Sequence, residues 1–491
     1  MTARTQRLPG PPQALAFAAL AGALAGWALP PAGMVPVLWL ALALLWALVA
    51  GAWPVRTAAC WGGMAVLVGH RWLLGLHPLD WIGVPLPLSL PLCWLLLLLI
   101  AALGGVLIGA WGWCAASLDA SRPSSAALLA LVWGLAEVLL ARGPLFWIGL
   151  GGSALPGDRP LAGLASLGGA ALVAALQLLI GWGLWRAFRE RRRLGGKGPL
   201  ALLLALLLLH GGGWAVLEQQ QLRASGQERV LVLQPAIPTR EKFTWSSRRR
   251  LQRQVRAGLA QARELQADLV VLPEGALELD PLLAEPAAVE LLGGGFRSTG
   301  PGGAQRSALL RFPAGSRQPA QAIDKHRVVL LGEWVPFQGL VRWSGLSAVG
   351  GIEAGPPSRL LPRFPHAIGV AICYEIADGH SLAAASRAGA SWLLASANLD
   401  PYPLVLQRQF EALAQLRAIE TGRWLVSVAN TGPSGLISPQ GGIAERLPVA
   451  IPANAVFSVP ALTTLTPYAR WGELPLLALA LLAAFWRWHV G

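Results

Sequence analysis

Ala367-Ile-Gly-Val-Ala-Ile-Cys373-Tyr-Glu-Ile376 is the stretch on which the rest of the chain turns. Its apolar run, Ile368 to Ile372, predicts a buried strand. At the end of the run come a thiol (Cys373), a phenol (Tyr374) and a carboxylate (Glu375). A strand end is where a rigid sheet presents a nucleophile to a pocket. A free cysteine taken alone is more often a small core residue than a reactive one. Its surroundings decide between the two.

Of the 491 residues, 54% are hydrophobic and only 13% charged, against about 25% charged in an ordinary soluble domain. Mean hydropathy is +0.52. The chain therefore reads as a membrane protein joined to something soluble. Long charge-poor runs fill residues 1–216 and 474–491, and a stretch of ordinary soluble character, 217–473, lies between them. The net charge of +14 does not imply nucleic acid. Much of it sits in clusters such as Arg191-Arg-Arg193 and Arg248-Arg-Arg250, which in a membrane protein fix orientation or meet anionic lipid. The cysteines are Cys60, Cys93, Cys114 and Cys373. Only the last falls in the soluble part, so that part has no internal disulfide and no CxxC metal pattern. The histidines show no HExxH spacing. Neither a metal nor an organic cofactor is expected.

About eight spans are predicted, near 12–29, 35–52, 58–76, 88–115, 125–141, 161–185, 199–216 and 474–490. Arg186, Arg189, Arg191, Arg192, Arg193 and Lys197 crowd the loop between the sixth and seventh. Positive loops stay cytoplasmic. Counting outward puts Arg4 and Arg7 inside and residues 217–473 on the periplasmic side. A single cysteine in an oxidising compartment is better explained by a task than by chance. Glu137, His70 and Arg71 fall within or beside spans, where ionisable groups mark either function or a satisfied contact between helices.

The soluble part alternates strands and helices. Strands are predicted at 229–233, 267–272, 307–312, 391–395 and 424–429. Helices are predicted at 247–266, 381–388 and 405–421. Residues 293–303, Gly-Gly-Gly-Phe-Arg-Ser-Thr-Gly-Pro-Gly-Gly, read as a mobile loop, since no phosphate-loop pattern surrounds them. Two further strand ends or loops carry reactive groups. Glu274 follows Asp268-Leu-Val-Val-Leu-Pro273, and Lys325 lies in Ile323-Asp-Lys-His-Arg-Val-Val-Leu-Leu-Gly-Glu333-Trp-Val-Pro336. A carboxylate, an ammonium and a thiol suit acyl transfer. The carboxylate takes the thiol proton, the thiolate holds the acyl group, and the lysine, with the Tyr374 backbone N–H, steadies the oxyanion.

In this order these residues resemble the nitrilase superfamily. Over nearly its full length the chain resembles the apolipoprotein N-acyltransferase family. Leu272-Pro-Glu274, Lys325 through Gly332-Glu333-Trp-Val-Pro336 and Cys373-Tyr374-Glu375 match the three triad motifs. Gln234-Pro-Ala-Ile-Pro238 followed by Trp245 matches the opening segment. Arg417-Ala-Ile-Glu420-Thr-Gly-Arg423-Trp424 and Asn430-Thr-Gly432 match the late motif. Trp133, Glu137 and Phe146-Trp147 match a motif of the membrane part. The chain departs from the pattern at Ile323, Leu330-Leu331, Asn398-Leu-Asp-Pro-Tyr402 and Arg408-Gln409.

The resemblance implies a multi-pass α-helical bundle carrying a periplasmic α/β nitrilase-like αββα sandwich in a bacterial plasma (inner) membrane. It implies an enzyme that moves a fatty acyl chain from a phospholipid, through a Cys373 thioester, to the N-terminal α-amine of a diacylglyceryl apolipoprotein. Glu274, Lys325 and Cys373 are the implied catalytic residues, and Glu333, Tyr374 and Glu375 support them. Trp245, Trp147 and Asn398 are implied contacts to substrate. Glu333 is expected to orient Lys325. Glu375 either positions the Glu274–Lys325 pair or ends the strand in solvent. The loop at 293–303, the segment near Trp245 and residues 339–351 are the expected movable mouth. Nothing demands more than a monomer. Three rivals stand beside this reading: a membrane-anchored amidase, a Cys–His hydrolase using His380 or His366, and a transporter or scaffold with a dead domain.

Overall fold

The computed structural model describes residues 11–80, 83–194, 196–219, 224–242, 244–300, 303–329, 333 and 351–490. Expectations placed on Arg4 and Arg7, on 330–332 and 334–336, and on all but the last residue of 339–351 lie outside them.

Apolar helices fall on all eight predicted stretches: Pro11–Ala28, Val35–Val49, Pro54–Gly69, Leu86–Ser117, Pro123–Arg142, Ala165–Arg189, Lys197–Gln219 and Leu474–Val490. Among the described residues four helices are long and apolar enough to cross a bilayer: Leu86–Ser117, Pro123–Ala141, Ala165–Arg189 and Lys197–Gln219. Val35–Val49 and Leu474–His489 are shorter apolar helices. The expected span at 58–76 ends early, at Gly69, and continues as a 3-10 turn, Arg71–Leu76. The ionisable groups there satisfy local backbone. His70 Nε2 meets the Phe146 carbonyl at 3.3 Å and Arg71 donates to Val68 O at 2.8 Å. Glu137 accepts from Trp133 Nε1 at 3.0 Å and from the Leu150 N–H at 2.9 Å. These groups are satisfied, Arg71 and Trp133–Glu137 locally, His70 and Glu137 also by the 146–150 segment.

Among the described residues two six-stranded sheets lie between these helices. The first runs in the order β12-β1-β2-β3-β4-β5 and the second β11-β10-β9-β8-β7-β6. The strands of the first are β1 Ala224–Gln234, β2 Leu269–Leu272, β3 Glu290–Ser298, β4 Gln305–Phe312, β5 Gln321–Asp324 and β12 Ala453–Leu462. Those of the second are β6 Leu360–Leu361, β7 Ala367–Ile372, β8 Ala390–Ala397, β9 Leu425–Ala429, β10 Gly435–Ile437 and β11 Ile443–Arg446. Alternation along β1 explains the layering. Val230 and Val232 point into the core shared with Val370, Trp392 and Val428 of the second sheet. Leu231 and Leu233 point outward, under Val255, Leu259 and Ala262 of the Trp245–Glu264 helix. Strand side chains alternate faces, so one apolar run fills two cores.

The outer helix of the second sheet, Leu404–Thr421, is buried nearly all round and carries apolar residues on opposite faces, as a helix packed on both sides must. Phe410, Leu413 and Ala418 join the core of the sandwich. Ala412, Leu416 and Ile419 join Leu155, Leu161, Val173 and Ile180 of the bundle. Glu420 accepts from the Ala170 N–H at 2.7 Å across the same junction.

The glycine-rich segment corrects the sequence reading. Residues 293–298 are not loop but the greater part of β3, paired antiparallel with β4. A Cβ on Gly294 would lie 2.4 Å from Glu274 Cα and 2.5 Å from Pro273 O. The strand needs glycine there because the Pro273–Glu274 turn rests directly on it.

Candidate active site

Glu274 leaves the end of β2, Lys325 the end of β5 and Cys373 the end of β7, so both sheets contribute. Cys373 has φ +54°. For a residue with a Cβ this left-handed conformation costs on the order of 1–2 kcal/mol. It opens the 3-10 turn Cys373–Ala377 and ends the strand abruptly with the thiol at the corner.

Lys325 Nζ donates to Glu274 Oε1 at 2.7 Å and to Glu333 Oε1 at 2.8 Å. The ammonium is 1% exposed. Burial by itself works against its charge, but Glu274, Glu333 and Cys373 overrule it and hold its pKa well above the lysine range. Burial raises the Glu333 carboxyl, against the pull of Lys325. The Cys373 thiol feels both Glu274 and Lys325. Burial pushes its pKa well up, Glu274 adds to this, and Lys325 opposes. A neutral thiol beside a carboxylate and a fixed ammonium is the arrangement that general-base activation requires.

Glu375 ends nothing in solvent. It is 3% exposed. It accepts from the N–H groups of His326 at 2.7 Å and Ile372 at 2.8 Å, and from Arg359 at 2.8 Å. One carboxylate thus ties the lysine segment to the strand that ends at Cys373. Arg359 escaped the sequence reading, since it follows Pro-Pro-Ser with no motif to flag it.

Asn398 serves Glu274 through its backbone: its N–H donates to Glu274 Oε2 at 2.9 Å. Its side chain joins Thr239 and Asn430, both at 3.1 Å. Tyr374 is buried and faces Tyr402 and Phe146, with ring centroids 6.2 and 5.3 Å away. Phe146 stacks on Phe410, and Arg327 donates to Gly143 O. The 143–148 turn of the bundle therefore reaches both the nucleophile's neighbour and the lysine segment. Trp147 lies behind that turn, 6.1 Å from His70 by centroid, lining an apolar cavity in the bundle with Trp61, Trp111 and Glu137. Trp245 is 73% exposed at the head of its helix, with Arg248 and Arg249 over its ring. It is not drawn into the hydrogen bonds of the triad.

His380 hydrogen-bonds Glu473 at 2.7 Å, and His366 lies against Gly226 of β1. Neither is among the groups that act on the thiol. Lys242 is a second lysine at the site that the sequence reading missed. Its Nζ donates to Glu274 O at 3.4 Å, and only its place after the Gln234–Pro238 segment could have flagged it.

Residues 347–449 match the family described as Carbon-nitrogen hydrolase. Along 96% of its length the chain is 49% identical to a protein named Apolipoprotein N-acyltransferase from Prochlorococcus marinus (strain MIT 9313), covering 95% of that protein. It belongs to the apolipoprotein N-acyltransferase family. A member from Parasynechococcus marenigrum (strain WH8102) is 47% identical over 93% of this chain and 97% of its own length. Another, from a second strain of Prochlorococcus marinus, is 43% identical over 93% of both. The α/β sheets and the long apolar helices are those of a nitrilase-superfamily domain in a membrane protein of this family.

Proposed function

We propose that the chain transfers a fatty acyl group from a phospholipid to the N-terminal α-amine of diacylglyceryl apolipoproteins. We place it in the bacterial plasma membrane, with eight spans in 1–216 and 474–491 and a periplasmic catalytic part in 217–473. The observation that carries this reading is the Lys325–Glu274 contact of 2.7 Å beside the Cys373 thiol, in a chain kin along its length to proteins of that name.

Cys373 Sγ attacks the ester carbonyl of the donor while its proton passes to Glu274. The C–O bond breaks, Glu274 protonates the departing alkoxide, and a lyso-phospholipid leaves. The amine then attacks the thioester. An amide bond forms, the C–S bond breaks, and a proton returns to sulfur through Glu274. Lys325, held by Glu333, and the Tyr374 N–H stabilise the oxyanion in both steps. Tyr374 and Glu375 hold the nucleophile's corner, Asn398 holds Glu274, and Trp147 and Trp245 contact lipid. The cycle uses no cofactor and no second copy of the chain.

Intact-mass analysis after incubation with phospholipid tests this. The expected result is an acyl adduct on wild-type protein, absent from Cys373→Ala, that clears when a diacylglyceryl-cysteinyl peptide is added and appears on the peptide. No adduct on the wild type overturns the reading. An adduct that clears only to free fatty acid makes the protein a hydrolase.

A further inference from the structure

Five charged groups follow one another at the site with alternating sign: Glu333, Lys325, Glu274, Lys242 and Asp400. The cycle above employs Lys325 and Glu274 and leaves Lys242 without a task. The two lysines are held differently. Lys325 is enclosed by two carboxylates, at 2.7 and 2.8 Å. Lys242 is only partly buried, and among the described residues its Nζ makes one long hydrogen bond, to Glu274 O at 3.4 Å. Gly275 makes room for it: φ is +59° there, and a Cβ would lie 3.1 Å from Lys242 Nζ. The groups that face Lys242 are Glu274, after β2, and Asp400, after β8. On its own segment Arg240 is occupied by Asp80 at 3.1 Å, and Glu241 is exposed. Three carboxylates against Lys325 and a Lys242 that can shed its proton leave the row negative, which draws in a cationic acceptor.

The acceptor arrives as an α-ammonium and must lose two protons to become an amide nitrogen. Glu274 has room for one. Burial lowers the pKa of Lys242 to about 8, against the opposing pull of Glu274 and Asp400. An α-amine titrates at about 7.7–8.0, so proton exchange between the two is nearly level.

We propose that Lys242 is a catalytic residue of the transfer half-reaction, its amine accepting the first proton of the acceptor's α-ammonium while Glu274 takes the second. This rests on the acyl-transfer reading above. Lys242–NH2 and R–NH3+ become Lys242–NH3+ and R–NH2. The freed nitrogen attacks the thioester, the C–S bond breaks, and the second proton travels through Glu274 to sulfur. Lys242 then returns its proton to solvent.

The test separates the halves. Wild type, Lys242→Met and Lys242→Gln are loaded on Cys373 with p-nitrophenyl palmitate, and adduct formation is followed by mass. Each is then discharged at pH 7 with a diacylglyceryl-cysteinyl peptide or with hydroxylamine, which is neutral at that pH. For both variants we expect loading within about threefold of wild type, discharge to hydroxylamine unchanged, and discharge to peptide slowed about tenfold or more. The peptide defect should shrink at pH 9, where the acceptor is already neutral. Slowing of loading, equal slowing with both nucleophiles, or no slowing with peptide each overturns the role of Lys242. A wild type that loads but never acylates the peptide overturns instead the transfer reading on which the role rests.

Discussion

The two sheets of the sandwich have equal numbers of strands and one long covering helix each, yet the two helices are opposites. Trp245–Glu264, over the first sheet, carries Arg248, Arg249, Arg250, Arg253, Arg256 and Arg263 and turns Leu251, Val255, Leu259 and Ala262 inward. Leu404–Thr421, over the second, has its apolar residues on both faces. What lies beyond each helix accounts for the difference. Water lies outside the first and needs an amphipathic helix. The apolar bundle lies outside the second and needs none. The contrast also sorts the chemistry. Glu274 and Lys325 come from the sheet under the wet helix, and Cys373 comes from the sheet fastened to the bundle.

The junction side should be the more sensitive to truncation. Leu416, with no exposed surface, contacts the bundle, and Leu416→Ala is expected to cost about 2–5 kcal/mol, read as a lowered unfolding midpoint in detergent. A change within a few tenths would show that the two parts barely depend on each other. On the other sheet, Gly294→Ala should leave the fold standing but push the Glu274 turn aside, cutting Cys373 acylation about 100-fold. Full activity would show slack in that turn.

A third measurement uses pH. Burial raises Glu420 to about 7, against the attraction of Arg417. The folded chain therefore keeps a proton that the unfolded chain releases above about 4.3. Glu420 thus lowers stability as pH climbs from there to beyond 7. Glu420→Gln should flatten this slope in unfolding midpoints taken from pH 5 to 8. An unchanged slope would put its source elsewhere. The smallest effect belongs to the wet helix: Arg256→Ala breaks a pair with Glu285 whose members are 66% and 64% exposed, and should cost about 0–1 kcal/mol.

What was legible followed from local pattern. The runs ending at Pro273-Glu274 and at Cys373 are apolar, short and followed at once by chemistry, so β2, β7 and both side chains were readable. The lysine was readable through its spacing to Glu333. Misreadings came where distant contacts govern. Gly293 to Gly295 look like loop because glycine has little strand preference, and nothing nearby reveals the turn lying on Gly294. β12 went unread because Pro460 interrupts it. The proline is tolerated on a strand at the sheet's edge, opposite Gln227 of β1. The 58–76 stretch is apolar enough to look continuous, but His70 and Arg71 turn to carbonyls of their own helix and of the 143–148 turn, and the helix stops. Arg359 and Lys242 carry no neighbouring signature; only the folded chain brings them to Glu375 and Glu274.

Because Leu404–Thr421 is shared, the sandwich is not a detachable cargo. Excising residues 224–462 would strip the partners from Ala412, Leu416 and Ile419 and leave a greasy stripe on the very helix that backs the nucleophile's sheet. Anyone wanting a soluble reagent from this scaffold would have to repaint that stripe with polar residues first, and the Glu420 contact to Ala170 marks where the repainting must begin.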